Sequence, residues 1–208
     1  MVGMASSRAR AAPRGPGRPR EFDVDQAIDR AIVVFRERGY HATSISDLQD
    51  AMGLTAGSIY KAFKDKRAVF IAALDRYMAL RDARLAQRLE TARTGRERLR
   101  RLLTLHAEAA SGQEGRRGCL VVGSAVELAL FDPEIAGRVT ARLKSYESHI
   151  AQLIAEGQAD RSIRATVDRH ITARVMLCIL QGLRVVGKTG RSGDEMLAVV
   201  DTALRLVE

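Results

Sequence analysis

The chain has 208 residues, 46% hydrophobic and 28% charged, with a net charge of +9. That length suits one large domain or two small ones, and the apolar fraction excludes a chain too polar to build a core. Residues 1–20 hold five Arg, no acid and no apolar run of the kind a secretion signal needs.

Those first 20 residues also hold Pro13, Pro16, Pro19 and three Gly, so they are expected to form a disordered basic arm. Helical pattern begins directly after it. Val24, Ala27, Ile28, Ala31, Ile32 and Phe35 make one stripe of an amphipathic helix, which Gly39 ends. Ser44 and Asp47 form a capping-box pattern for a short helix carrying Ile45, Leu48 and Met52, stopped by Gly53. Thr55 caps a third short helix with Ile59, Ala62 and Phe63 inward, and Asp65 starts a long fourth.

Thr94 and Glu97 read as another capping box, for a helix to about Ala110, and a loose GQEGRRG segment follows. Cys119 to Leu130 reads as a largely buried helix. Asp132-Pro133-Glu134 then opens a long one, to about Glu156. Thr166 or Asp168 begins the next, to about Lys188, and Ser192 with Glu195 caps the last. The expectation is an all-α protein of about nine helices. The apolar runs Cys119–Phe131 and Val175–Val186 are broken by Glu127, Gln181 and Arg184 and read as too short to span a bilayer. The chain is therefore read as cytoplasmic, with no membrane partner. Cys119 and Cys178 form no CxxC pair and are expected to be free thiols.

Three short helices and a long one, with a tight Gly turn between the second and third, form a helix-turn-helix pattern. The third helix is a poor one by composition, since Gly57 costs about 1 kcal/mol relative to Ala. Small residues at its start suit a helix that must approach the DNA backbone in a major groove about 12 Å wide. Thr55 and Ser58 can bond phosphates or base edges, and Ala56 can meet a thymine methyl. Tyr60, Lys61, Lys64 and Lys66 offer donors to phosphate oxygens, unless Tyr60 merely packs and Lys64 and Lys66 belong to an ordinary solvated face. Thr43 is read as a phosphate contact or as a cap together with Ser44.

Thr43-Ser44 through Leu48, Ala51-Met52-Gly53-Leu54 and Thr55-Ala56-Gly57-Ser58-Ile59-Tyr60-Lys61-Ala62-Phe63-Lys64-Asp65-Lys66, closing at Val69-Phe70, resemble the DNA-binding domain of the TetR family of bacterial transcriptional regulators. Ala62 departs from the family pattern, where a larger polar or aromatic residue is common. The resemblance implies a homodimer that sets its third helices in the major grooves of a palindromic DNA operator. It also implies release by a small-molecule inducer bound in the C-terminal domain, and most such proteins are repressors. The expected organisation is a basic arm at 1–20, a helix-turn-helix domain at 21–67 and a ligand-binding and dimerisation domain at 68–208. Dimerisation is expected through about 168–188 and 194–207. The apolar residues there, among them Ile171, Val175 and Val186, exceed one buried stripe, and Gly182 would permit close helix approach; a helix central to the monomer's own core accounts for the same residues.

Gly17-Arg18-Pro19-Arg20 in the arm resembles the core of an AT-hook, so Arg18 and Arg20 are candidates for a narrow minor groove, or for plain counterion release. Polar or aromatic groups set in the C-terminal helices are candidates for the inducer pocket: His106, Cys119, Glu127, Phe131, Tyr146, Arg174 and Gln181. Cys119 follows Arg116 and Arg117 at a helix start, where nearby cations and the helix dipole lower a thiol pKa. Its Gly-Cys-Leu context also resembles a subgroup in which such a Cys senses oxidants or electrophiles. A less specific architectural DNA-binding protein is a rival reading suggested by the arm. No enzyme motif and no metal-ligand spacing is visible, and no cofactor is expected.

Overall fold

The computed structural model describes residues 23–208. The expectations for the arm, including Arg18 and Arg20, lie outside the described residues. Ten α-helices and two short 3-10 turns account for the regular structure among those residues. The helices are α1 (Val24–Arg38), α2 (Ile45–Met52), α3 (Ala56–Ala62), α4 (Lys66–Leu89), α5 (Gly95–Glu108), α6 (Gly112–Arg117), α7 (Leu120–Glu127), α8 (Pro133–Ala159), α9 (Arg169–Val186) and α10 (Gly193–Leu204).

The caps lie where sequence chemistry puts them. Asp23, Thr55, Asp65, Asp132 and Asp168 each accept a first-turn N–H, and Ser44–Asp47 and Ser192–Glu195 close full capping boxes. Two expectations change. Thr94 accepts the Glu97 N–H, but Glu97 turns back to the N–H of Arg93, so the reciprocal half of that box goes one residue further out. The GQEGRRG segment is helical rather than loose: in α6, Glu114 meets Arg36 of α1 at 2.7 Å and Arg117 of its own helix, three residues on, at 3.7 Å.

Two apolar clusters form the core. The first joins Ala27, Ile28, Ile32, Phe35, Leu48 and Ile59 of α1–α3 to Val69, Phe70, Leu74 and Tyr77 of α4. It continues into the body through Leu120, Val121, Leu128, Ile135 and Val139. Phe35 and Phe70 meet edge to face at 4.9 Å. The second cluster unites the end of α4 with α5, α8, α9 and α10. Outside the cores, Arg67 grips Asp132 through two hydrogen bonds of 2.6 and 2.8 Å and reaches Glu134 at 2.7 Å. That guanidinium holds the Asp132 carboxyl down at about 2.

With the 3-10 turn after it, α9 spans Arg169–Thr189 and is long and apolar enough to cross a membrane, which corrects the reading of this region as too short. Only its inner side, Ala173, Met176, Leu180 and Leu183, enters the body core. Ile171, Val175, Val185 and Val186 stay exposed on the other side, together with Leu197, Val199 and Leu206 near and in α10. Cys178 is a free thiol, as expected, and is exposed.

Candidate DNA-binding head and ligand cavity

The turn between α2 and α3 is built on Gly53, which adopts the left-handed conformation at φ 67° and ψ 34°. The turn presents α3 with its back in the core, Ile59 being fully buried. Its front faces solvent: Thr55, Gly57, Tyr60, Lys61 and Lys64 are exposed, and Ala56 and Ser58 half-buried. Tyr60, 52% exposed, projects its ring away from the core. Thr55 Oγ1 caps the helix by accepting the Ser58 N–H at 3.2 Å, and lies 3.0 Å from Ser58 Oγ. A Cβ on Gly57 would find only Thr55 Oγ1, at 4.0 Å. Nothing within the protein demands glycine there.

Three expected contacts point elsewhere. The Thr43 side chain is 1% exposed and donates to the Gly39 carbonyl at 2.6 Å, so it closes the α1–α2 turn instead of facing a phosphate. Lys66 turns into the same connection. Its ammonium donates to the carbonyls of Tyr40 and Thr43 at 3.0 and 2.9 Å and sits 4.4 Å from the centre of the Tyr40 ring. Ser44 spends its hydroxyl and its N–H on Asp47, at 2.7 and 2.8 Å, while remaining exposed. Hydrogen bonds from Ser44 hold the Asp47 carboxyl below its usual range, and Arg38 adds to them.

Head and body meet at a cavity of about 220 Å³. Phe35, Arg36 and Tyr40 line it from the head, and Cys119, Glu127 and Arg184 from the body. Glu127 reaches across, its Oε2 accepting the Tyr40 N–H at 2.9 Å. Gly39 beside it has φ 79°, a conformation that favours glycine, and a Cβ there would fall 2.3 Å from Glu127 Oε1 and displace that carboxylate. A second cavity of about 20 Å³, room for roughly one water, lies behind it. There His106, Cys119, Tyr146 and Gln181 come together.

So five of the seven expected ligand residues border these two cavities, with Cys119 shared by both. Phe131 and Arg174 do not. The turn after α7 sends Leu128 inward and leaves Phe131 80% exposed. Arg174 lies outside on α9, paired with Glu147 of α8 at 3.1 Å along an open groove. Arg36, Tyr77, Arg142 and Arg184 are the residues that sequence reasoning missed. Arg36 and Arg142 lie on the inward stripes of their helices, and Arg184 interrupts the apolar run of α9. A charge at an inward position is the signal that was available.

Burial pushes the Cys119 thiol up, but Arg184, the Val122 N–H and the Tyr77 hydroxyl together leave it below its ordinary value. Burial also pushes the Tyr77 phenol up to about 12. Neither cysteine is in a disulfide, and Cys178 lies on the outer side of α9. A thiol switch at Cys119 is not favoured over release by a ligand.

His106 is held down to about 3 by burial, with Arg81 adding to the effect, and its Nδ1 lies 3.0 Å from the Leu102 carbonyl that it donates to when neutral. Its folded pKa lies below the unfolded value near 6.5, so its contribution is complete above pH 6.5 and is lost as pH falls toward 3. Between pH 7 and 5 this one group should remove about 2 kcal/mol of stability. His106→Leu should flatten that part of the pH profile in urea unfolding. A profile as steep as the wild type's would mean the imidazole takes up its proton equally in the folded and unfolded states.

An exposed short helix behind a glycine turn, carried on a three-helix core, defines a helix-turn-helix DNA-binding module. Residues 27–73 match the family of bacterial regulatory proteins called tetR, and residues 95–202 match the tetracyclin repressor-like C-terminal domain. The HTH-type transcriptional repressor ComR of Escherichia coli strain K12 is 29% identical over 204 residues, covering 98% of this chain and 97% of that protein. The repressor BdcR of the same strain is 28% identical, covering 91% of each. A solved structure of a cysteine mutant of the TetR-family regulator CifR with a 26-bp double-strand operator superposes with a TM-score of 0.82 at 31% identity. It covers 92% of this chain and all of that one. The chain belongs to the TetR family of transcriptional regulators.

Proposed function

We propose that the protein is a ligand-responsive repressor that acts in the cytoplasm as a homodimer on a palindromic operator. The observation that carries this reading is α3. Its back, Ile59, is locked in the head core, while Gly57, Tyr60, Lys61 and Lys64 face outward with no structural task within the head. Such a surface has a use when a phosphate backbone and base edges lie against it. The named repressors and the operator-bound CifR mutant support the same reading by similarity. The exposed apolar side of α9 and α10 supports a second copy as partner. The cavities around Cys119 support a small-molecule effector.

The experiment is a footprint of the purified protein on genomic fragments at physiological salt, run beside Gly57→Ala. The wild type should protect a sharp site with two-fold symmetry. Gly57→Ala should be up to about 1 kcal/mol more stable, by helix propensity, and should bind that site more weakly because the added methyl intrudes on the DNA. A diffuse footprint would favour an architectural binder, and unchanged affinity in the variant would refute close approach at Gly57.

A further inference from the structure

Among the described residues three arginines are buried: Arg36, Arg142 and Arg184. Two of them have a carboxylate. Arg36 lies 2.7 Å from Glu114, and Arg142 lies 2.6 Å from Asp82. Arg184, 4% exposed, differs. It donates to the carbonyl oxygens of Ala109 and Gly118 and to the Tyr77 hydroxyl, and it lies beside the Cys119 thiol, whose pKa it lowers; none of these is a carboxylate. Among the described residues no carboxylate forms an ion pair with it. A desolvated guanidinium is costly, and attraction to a nearby anion is what ordinarily offsets the cost. Beside Arg184 lies the 220 Å³ cavity between head and body.

We propose that this cavity binds a small organic anion, a monocarboxylate with a short apolar body, and that Arg184 is its counter-charge. The inference rests on the reading of the protein as a ligand-released repressor and names the chemistry of the ligand. Lys188 and Arg36 also line it, Arg36 being already paired with Glu114. The remaining wall is mainly apolar, with Phe35, Phe70, Leu120, Val122 and Leu128 facing the space, which suits a hydrocarbon better than a multiply charged phosphate. The volume falls below the roughly 300–1,000 Å³ of sites for drug-sized ligands, so the occupant is small.

Position links occupancy to the head. Glu127 is the one carboxylate lining the cavity, and it holds the Tyr40 N–H in the α1–α2 connection. An anion drawn in by Arg184 adds like charge to the space that Glu127 shares, where water screens it poorly. Glu127 then turns outward and frees Tyr40, and the connection that carries α2 and α3 loosens.

The test titrates the full-length protein on its operator with monocarboxylic acids of about four to ten carbons and benzoic acid, and in parallel with their primary amides. At least one acid should bind and release DNA, at least about tenfold more tightly than its amide, the loss expected for one charge-assisted bond. Arg184→Met should abolish that response. Because a buried Arg also supports the fold, a second variant is needed. A Cβ on Gly123 of α7, which lines the cavity, has nothing within 4 Å. Gly123→Leu should therefore plug the cavity, keep the wild-type operator affinity and lose the response to acids. Equal binding of acids and amides, no binding by any acid, or a full response in Gly123→Leu would overturn the proposal. Absence of operator binding without any ligand would instead speak against the repressor reading itself.

Discussion

Gly182→Arg is expected to give folded monomers that have lost tight operator binding. In the monomer Gly182 faces open space on the outer side of α9, and a Cβ there meets nothing within 4 Å. The replacement gains up to about 1 kcal/mol of helix propensity over glycine, so the isolated chain has no reason to unfold. In a dimer packed along α9 and α10 the same position faces the partner helix, and a long charged side chain forces the two apart. The surrounding surface, Val175, Ile179, Val186 and Val199, would then be left without cover. Two linked heads bind two half-sites with avidity gains of about 10²–10⁴, so affinity for the palindrome should fall at least about 100-fold. Sedimentation and operator binding measured on one sample decide the matter. A dimer that survives the substitution would place this face elsewhere than at the interface.

Lys66→Met should unfold the head more readily yet leave the salt dependence of DNA binding unchanged. The ammonium supplies charge-assisted hydrogen bonds to Tyr40 and Thr43 and faces the Tyr40 ring. Such bonds are worth about 1.5–3 kcal/mol each, so a loss of about 3 kcal/mol is expected, read as a lower denaturation midpoint. A lysine on a phosphate behaves differently, because its removal takes about one unit from the slope of log K against log salt. Lys64→Met, at an exposed position, should show that second signature with little change in stability. If Lys66→Met instead flattens the salt slope at constant stability, Lys66 swings out to DNA on binding.

The head was legible because its signals are local. Ser44 with Asp47, Gly53, Thr55 and Asp65 each fix a helix end through groups within three or four residues of themselves. The helix order of the body was legible for the same reason, through Asp132, Asp168 and Ser192. What stayed hidden depends on partners far along the chain. Thr43 and Lys66 look like DNA ligands beside the motif, and only folding reveals that they serve one turn. Arg36 meets Gly118 across 82 positions and Arg184 meets Ala109 across 75, distances over which residue spacing carries no information. Phe131 read as a pocket aromatic because composition cannot say which side of a turn faces inward.

The apolar cluster that runs from α1 through Tyr77 into Leu120, Leu128 and Val139 bears on how the molecule could be re-engineered. Sensor chimaeras are assembled by exchanging a DNA-reading unit between relatives, on the premise that it is a self-contained module. Here a graft cut after α3 would sever one core in two, exposing the undersides of Phe35 and Ile59 on one piece and of Phe70, Leu120 and Leu128 on the other. A working exchange has to carry the matching surface of α7 and the first turns of α8 along with the head. The specificity of the operator and the shape of the effector cavity are, to that extent, inherited together.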